Sequence, residues 1–223
     1  MMRHKPTNLT DIAHYLMLHG SFINNLGLLN GKMGIILFFY HYAKYTKCKR
    51  YEDFADCMME EVYEEININA PKDFANGLSG ISFGVSYLIN NKFVKADSDI
   101  LDELDSKIME WDAKRMADYS LQTGLAGIGS YVLSRYNTDT KSIKLPALYV
   151  NDVLGSLLES KNELCLEIYH SIKSNSRLQE SMNEIIYKSL PGEKMTGQIV
   201  NIGLANGLAG VGLSKILFEN GKK

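Results

Sequence analysis

The eight residues Asn206-Gly207-Leu208-Ala209-Gly210-Val211-Gly212-Leu213 indicate the architecture of this chain, because close copies of them occur three more times. Each copy reads Asn or Thr, Gly, two residues, Gly and then Ile or Val, and each continues into an apolar segment. The leading glycines are 46, 47 and 83 residues apart. A period of roughly 20 to 50 residues is typical of repeat architectures, so the wide last gap holds either a repeat that has lost its glycines or an insertion. The other copies are Asn76-Gly77-Leu78-Ser79-Gly80-Ile81, Thr123-Gly124-Leu125-Ala126-Gly127-Ile128 and Asn30-Gly31-Lys32-Met33-Gly34-Ile35.

The first residue of each copy predicts the start of a helix, because Asn and Thr side chains accept hydrogen bonds from the N–H groups of a first helical turn. The two glycines that follow leave one side of that turn bare, so that neighbouring backbone can approach closely. The glycine motifs can also have a function besides packing. If the four helices are parallel, their N-termini meet at one end of the array, which we call the mouth. The N–H groups there would favour an anion or a peptide carboxylate. The predicted N-caps are Asn30, Asn76, Thr123 and Asn206.

The composition is that of an ordinary globular protein, with 45% hydrophobic and 22% charged residues. A net charge of −2 gives no reason to expect a nucleic-acid partner or binding to an anionic membrane. The longest apolar run, residues 33–40, is far shorter than the ~20 residues of a membrane span.

The cysteines predict a reducing compartment, and we therefore expect a cytoplasmic protein. Cys48, Cys57 and Cys165 are an odd and scattered set without Cys-x-x-Cys spacing, which argues against a disulfide framework. The N-terminal segment carries Asp11, His14 and His19 and lacks the apolar core of a signal peptide.

The hydrophobic periodicity predicts about nine helices and no strand, arranged as pairs of amphipathic outer and apolar inner helices. Residues 51–68 are one predicted outer helix. Residues 147–172 and 176–190 are predicted to form two helices between the third and fourth glycine motifs.

With these repeats, the chain resembles the lanthionine synthetase C family over roughly residues 25–220. The resemblance implies a single α/α repeat domain over residues 1–223, forming a toroid of helix pairs with glycine-rich loops at one mouth. The chain supplies fewer helix pairs than a full toroid, so a shortened ring, an open arc or an assembly completed by a partner are open alternatives. Repeat arrays with uncapped ends often associate, so a homo-oligomer is plausible.

The resemblance also implies a reaction, in which zinc activates a cysteine thiol of a peptide that adds to a dehydrated serine or threonine. In active members, two cysteines and one histidine directly before the glycine motifs hold the zinc. The matching positions here carry no thiol or imidazole, although a catalytic zinc site normally needs three such side chains, so we expect neither a metal nor another cofactor. These positions are Ala75-Asn76, Gln122-Thr123 and Ala205-Asn206.

Three functions follow from these observations. We expect a zinc-free, non-catalytic member that binds a peptide during modification of a ribosomally made product. A carboxylate-based hydrolase that uses Asp73, Asp112 or Asp118 is one alternative, and a protein-interaction scaffold is another. Asp112, Arg115 and Asp118 either lie at the mouth or form an intramolecular ion pair that holds their loop. The candidate ligand-binding residues are Asn30, Asn76, Gly77, Asp112, Arg115, Asp118, Thr123, Gly124, Asn206 and Gly207.

Overall fold

The computed structural model describes residues 8–95, 101–137, 142–174, 178–191 and 201–220. These residues form ten α-helices, and one short pair of antiparallel strands joins Tyr136–Asn137 (β1) to Ser142–Ile143 (β2). The predicted all-α fold is therefore confirmed. The helices are α1 (Leu9–His19), α2 (Lys32–Thr46), α3 (Lys49–Glu65), α4 (Leu78–Asn90), α5 (Asp102–Ile108), α6 (Leu125–Ser134), α7 (Ala147–Glu159), α8 (Glu163–Ser174), α9 (Leu178–Ser189) and α10 (Leu208–Asn220).

The chain divides into two compact units, each built from inner and outer helices. The first unit comprises Met1–Ile66 with Ser189–Lys223, and the second comprises Asn67–Lys188. In the first unit, α10 packs on α2, while α3 covers α2 and α1 covers α10. In the second unit, α4 packs on α6, α5 covers α4, and α7 and α8 cover α6. Both units thus bury helices that are apolar on most sides behind amphipathic ones.

The long gap between the third and fourth motifs contains helices without glycine motifs. The predicted helix over residues 147–172 is wrong, because α7 ends at Glu159 and α8 begins at Glu163. Lys161 has the left-handed backbone conformation (φ 52°), which ends the first helix without a glycine or proline. The side-chain oxygen of Asn162 then accepts a hydrogen bond from the Cys165 N–H at 3.2 Å and caps α8.

Each unit also joins an inner helix to an outer one through a buried cation. The Lys32 side chain, at the start of α2, is 3% exposed, and its Nζ lies 3.0 Å from Glu61 and 3.1 Å from Glu65 of α3. In the other unit, Arg135 follows α6 and its Nη2 lies 2.6 Å from the buried Asp105 of α5. Removing one partner of such a pair leaves an uncompensated buried charge, so these contacts fix how the helices pair.

The second glycine of the motif makes room for the neighbouring repeat. A Cβ on Gly127 would lie 2.5 Å from the Leu121 carbonyl oxygen and 2.7 Å from Cβ of Phe74, in the loop before α4. A Cβ on Gly34 would likewise lie 2.4 Å from the Leu28 carbonyl oxygen and 2.9 Å from Cβ of Leu204. The helices therefore approach at distances that leave no space for a methyl group.

None of the helices in the described parts of the chain combines the length and hydrophobicity needed to cross a membrane.

Gly127→Ala should lower the free energy of unfolding by about 1–3 kcal/mol, because the new methyl group overlaps backbone and the Phe74 side chain. Gly155→Ala is the matched control, since this exposed glycine lies in the interior of α7 and a Cβ there would have nothing within 4 Å. That substitution should raise stability by about 0.5–1 kcal/mol. Urea unfolding of both variants measures the difference, and equal effects of the two substitutions would contradict the packing role of Gly127.

Candidate functional site

The leading glycine of each of the four motifs is the last residue of a seven-residue loop. The four loops have the same construction, and we call each one a capping loop. Capping loops 1 to 4 comprise residues 25–31, 71–77, 118–124 and 201–207. In each loop, the backbone carbonyl of the first residue accepts a hydrogen bond from the N–H of the first helical residue. The four bonds are Lys32 N to Asn25 O (2.8 Å), Leu78 N to Pro71 O (2.8 Å), Leu125 N to Asp118 O (2.8 Å) and Leu208 N to Asn201 O (3.2 Å).

The last residue of each capping loop is the leading glycine of the motif, and it is glycine for lack of space. A Cβ on Gly31, Gly77 or Gly124 would lie 2.3, 2.1 or 2.4 Å from the carbonyl oxygen of the first loop residue. Their φ angles of −130°, −114° and −115° are ordinary extended values that other residues also adopt. A side chain at this position would therefore displace the carbonyl that caps the helix.

The predicted N-caps are wrong by one residue. Gly31, Gly77 and Gly124 occupy the N-cap positions of α2, α4 and α6, without a capping side chain. Asn206 has a left-handed backbone (φ 54°) rather than the extended backbone of an N-cap, and α10 begins two residues later at Leu208. Asparagine tolerates this conformation better than most residues.

The side chains that shape the capping loops lie further upstream. The side-chain oxygens of Asn25, Asp118 and Asn201 each accept a hydrogen bond at 2.8 Å from the N–H two residues later. Capping loop 2 starts with Pro71, whose side chain has no hydrogen-bond acceptor. In this loop the Asp73 side chain accepts a hydrogen bond instead, from the Asn76 N–H at 2.7 Å. Sequence reasoning missed Asn25 and Asn201, although an Asn or Asp six positions before the leading glycine in three of four copies was a readable signal.

The first N–H groups of α2 and α10 are already hydrogen-bonded to their capping loops. The N–H groups of Lys32 and Met33 donate to the Asn25 and Leu26 carbonyls, and those of Leu208, Ala209 and Gly210 donate to the 201–203 carbonyls. The expectation that these groups favour an anion or a peptide carboxylate is therefore wrong for them, because their hydrogen bonds are already made.

Capping loops also bind each other in pairs. In the second unit, the Phe74 and Ala75 N–H groups donate to the Gln122 carbonyl at 3.0 and 2.9 Å, which joins capping loops 2 and 3. In the first unit, the Leu204 and Ala205 N–H groups donate to the Leu29 carbonyl, both at 2.8 Å. Asn76 and Thr123 thus lie on adjacent loops, and so do Asn206 and Asn30.

The exposure of the predicted site residues differs. Thr123 and Asn206 are exposed, whereas Asn30 and Asn76 are half-buried. The glycines Gly77, Gly124 and Gly207 are buried within their loops. Among these residues, the side chains of Thr123 and Asn206 are therefore the ones most exposed to solvent.

The charged residues of the connector before capping loop 3 bind one another. Arg115 Nε lies 3.1 Å from Asp112 Oδ2, and Asp112 Oδ1 accepts from the Lys114 N–H at 3.0 Å. This is the intramolecular ion pair that was the alternative to a role at the mouth. Both side chains are exposed, so the pair holds a turn and contributes little to stability.

Asp118 makes the densest set of hydrogen bonds in capping loop 3. Its Oδ2 accepts from Thr123 Oγ1 at 2.5 Å and from Ser120 Oγ at 3.0 Å, and its Oδ1 accepts from the Ser120 N–H. These bonds, first that from Thr123, lower the pKa of Asp118 below its ordinary value. Asp118 is therefore an ionised hydrogen-bond acceptor at neutral pH.

Zinc does not fit the residues at the family's ligand positions, because Asn76, Thr123 and Asn206 offer only amide and hydroxyl oxygens. Within the described residues, no three His, Cys, Asp or Glu side chains are grouped so that they could hold a metal. Cys165 is buried in α8, and burial raises the pKa of its thiol. The half-buried His41 lies on α2, where desolvation first and Lys44 second lower its pKa to about 4.

Comparison with known proteins identifies the family. The sequence profile of the family described as lanthionine synthetase C-like protein matches residues 23–223. Because this match covers most of the chain, the protein belongs to the lanthionine synthetase C-like family. No curated protein and no solved structure matches the chain.

Thr123→Val should raise the pKa of Asp118 towards its ordinary value, because it removes the hydrogen bond that lowers this pKa most. Carbon-13 NMR titration of the Asp118 carboxyl in both proteins measures the change. Since the folded-state pKa lies below the unfolded one, the bonds to Asp118 stabilise the fold above about pH 4. This contribution is lost as the pH falls through the lowered pKa. An unchanged titration in the variant would show that Thr123 does not donate to Asp118.

Proposed function

We propose that this protein is a zinc-free, non-catalytic member of its family that binds a peptide at the capping loops during peptide modification. The observation that carries the proposal is the chemistry of Asn76, Thr123 and Asn206. They stand directly before the glycines on loops that are held by backbone hydrogen bonds to a helix start and to a neighbouring loop. Neutral amide and hydroxyl groups on such loops suit recognition of a peptide backbone, which presents the same kinds of donors and acceptors.

Thiol activation is not supported by these side chains. A cysteine thiol has an ordinary pKa of about 8.5, and a metal or a neighbouring cation normally lowers it. The amides of Asn76 and Asn206 and the hydroxyl of Thr123 carry no charge that would stabilise a thiolate. We therefore assign the loops to binding rather than to thioether closure.

Carboxylate chemistry is the less favoured alternative. Each of the three candidate acids holds its own turn: Asp73 accepts from the Asn76 N–H, Asp112 from the Lys114 N–H and Asp118 from Ser120 and Thr123. A general acid needs a raised pKa, and that of Asp118 is lowered. An interaction scaffold would use the same exposed side chains on a folded protein partner, and we retain it as the outcome if peptides do not bind.

We also propose a cytoplasmic location, and the proposal is compatible with self-association. All three cysteines are free, and Cys57 is exposed, which suits a reducing compartment. A homo-oligomer stays a prediction that sedimentation of the purified chain would test.

A fluorescent linear peptide with one cysteine and one dehydroalanine should bind the protein without being cyclised. Fluorescence anisotropy measures the binding, and titration of the free thiol over time measures cyclisation. We expect the thiol to disappear at the same rate with and without protein, whether or not zinc is added. Zinc-dependent loss of the thiol above the protein-free rate would contradict a non-catalytic role. Absence of binding, together with a stoichiometric protein partner in a pull-down, would favour the scaffold.

Asn206→Gly should weaken binding of this peptide about threefold to tenfold. This is the usual effect of losing one neutral hydrogen bond, here the one between the Asn206 side chain and the peptide. Glycine keeps the left-handed backbone of residue 206 accessible, so the variant removes the side chain alone. Asn206→Ala should also lose about 1 kcal/mol of stability, because alanine disfavours this conformation.

Asn151→Ala, at an exposed position of α7, controls for loss of an asparagine elsewhere on the surface. Equal affinities of the wild-type protein and Asn206→Gly would show that capping loop 4 does not bind this peptide.

A further inference from the structure

Helix α7 has a second apolar face besides the one that it buries. It packs on α6 and α8, and its buried residues are Val150, Val153, Leu154 and Leu157. On the other side of the helix, the Leu148 and Leu158 side chains are 75% and 49% exposed. Asn151 and Gly155 lie between them and are also exposed, and a Cβ on Gly155 would have no atom within 4 Å. Two leucines exposed on one helix face, with open space between them, are typical of a surface that another helix covers.

The four exposed residues have the spacing of a stripe along which two helices pair. They are three, four and three residues apart, which places them on one side of the helix. The same alternation of three and four residues forms the contact stripe of two-stranded coiled coils. None of the four side chains is charged, so the stripe does not repel a second copy of itself. We call this set the α7 stripe: Leu148, Asn151, Gly155 and Leu158.

The α7 stripe is symmetric about the level of Val153. Leu148 and Leu158 lie five residues before and after this level, while Asn151 and Gly155 lie two residues before and after it. Two antiparallel copies of α7 that meet at this level therefore place Leu148 of each copy against Leu158 of the other. Asn151 of each copy then fills the open space at Gly155 of the other. A surface that is complementary to itself in this way is what a homodimer with twofold symmetry requires.

We propose that the α7 stripe is the interface of a homodimer in which α7 packs antiparallel on α7 of a second copy. The charge beside the stripe favours this orientation. The exposed Glu159 would lie opposite the uncharged Ala147 of the other copy, whereas parallel pairing would place it beside a second Glu159. The stripe contains no capping-loop residue, so the inference is independent of peptide binding.

The size of the α7 stripe predicts a weak dimer. One pair of helices buries less than the ~1,200 Å² of a stable complex, and we expect a dissociation constant on the order of 100 μM. The chain is then monomeric at the low concentrations of an unfolding experiment, so that the stability of Gly155→Ala reports on the helix alone.

Sedimentation equilibrium of the full chain over a wide range of concentrations tests the interface. The wild-type protein should dimerise at high concentration. Leu148→Glu should weaken dimerisation about tenfold or more, because it places a carboxylate against an apolar side chain of the other copy. Leu18→Glu is the matched control, since Leu18 is 68% exposed on α1 and the substitution adds the same charge. It should leave dimerisation unchanged. A wild-type chain that stays monomeric, or a dimer that Leu148→Glu leaves intact, overturns the inference.

Disulfide formation between two single-cysteine substitutions tests the antiparallel orientation. Leu148→Cys and Leu158→Cys are mixed at high concentration and oxidised with glutathione disulfide. In the proposed dimer the two new thiols face each other, whereas the two copies of residue 148 lie about 15 Å apart along the helices, beyond the reach of a disulfide. The mixture should therefore contain a cross-linked dimer that neither variant forms alone. The wild-type protein controls for cross-linking through the exposed Cys57.

Two further results would contradict the inference. Efficient cross-linking of Leu148→Cys with itself, above the wild-type level, would show parallel pairing. A monomeric wild-type chain that binds a different protein, and loses it in Leu148→Glu, would assign the α7 stripe to that partner. Thermal unfolding midpoints within a few degrees of the wild-type value establish that each variant is folded.

Discussion

The hydrogen bond that closes each capping loop is the constraint on which the rest of the structure depends. It joins the carbonyl of the first loop residue to the N–H seven residues later, at the start of a buried helix. The leading glycine follows from this bond, since a Cβ would collide with the same carbonyl or with its loop. A buried helix terminus has to satisfy its N–H groups within the protein, and the loop does this with backbone atoms. The helix start is therefore specified by space and by main-chain geometry.

This construction explains how the family fold persists without the family's zinc ligands. The loop is held by its first residue, by the glycine at its end and by backbone bonds to a neighbouring loop. The side chain directly before the glycine is half-buried at Asn76 and exposed at Asn206. Because backbone bonds and the glycine hold the loop, its helix-capping bond is compatible with Asn76 or Asn206 at the position that carries a metal ligand in active members. The fold alone therefore does not imply the reaction.

The sequence allowed the repeats, the all-α fold and the family to be predicted, because glycine pairs before apolar segments are regular and specific. The helix caps were misassigned because asparagine is a common N-cap, and only the structure places glycine there. The break between α7 and α8 escaped prediction because it falls at Lys161, which has no turn propensity of note. The contact of Lys32 with Glu61 and Glu65 was equally hidden, since a helical acidic face normally faces solvent.

The third capping loop differs from the first and fourth in the second atom of the side chain that forms its turn. The turn requires a single side-chain oxygen, and Asn25, Asp118 and Asn201 all supply it at 2.8 Å. The second atom of the side chain is an oxygen in Asp118 and a nitrogen in the asparagines. This atom completes each loop in its own way, because Asp118 Oδ2 accepts from the Thr123 and Ser120 hydroxyls whereas Asn201 Nδ2 donates to the Ala205 carbonyl. One repeated turn is therefore kept by a shared side-chain oxygen while the remaining hydrogen bonds of the loop differ between repeats.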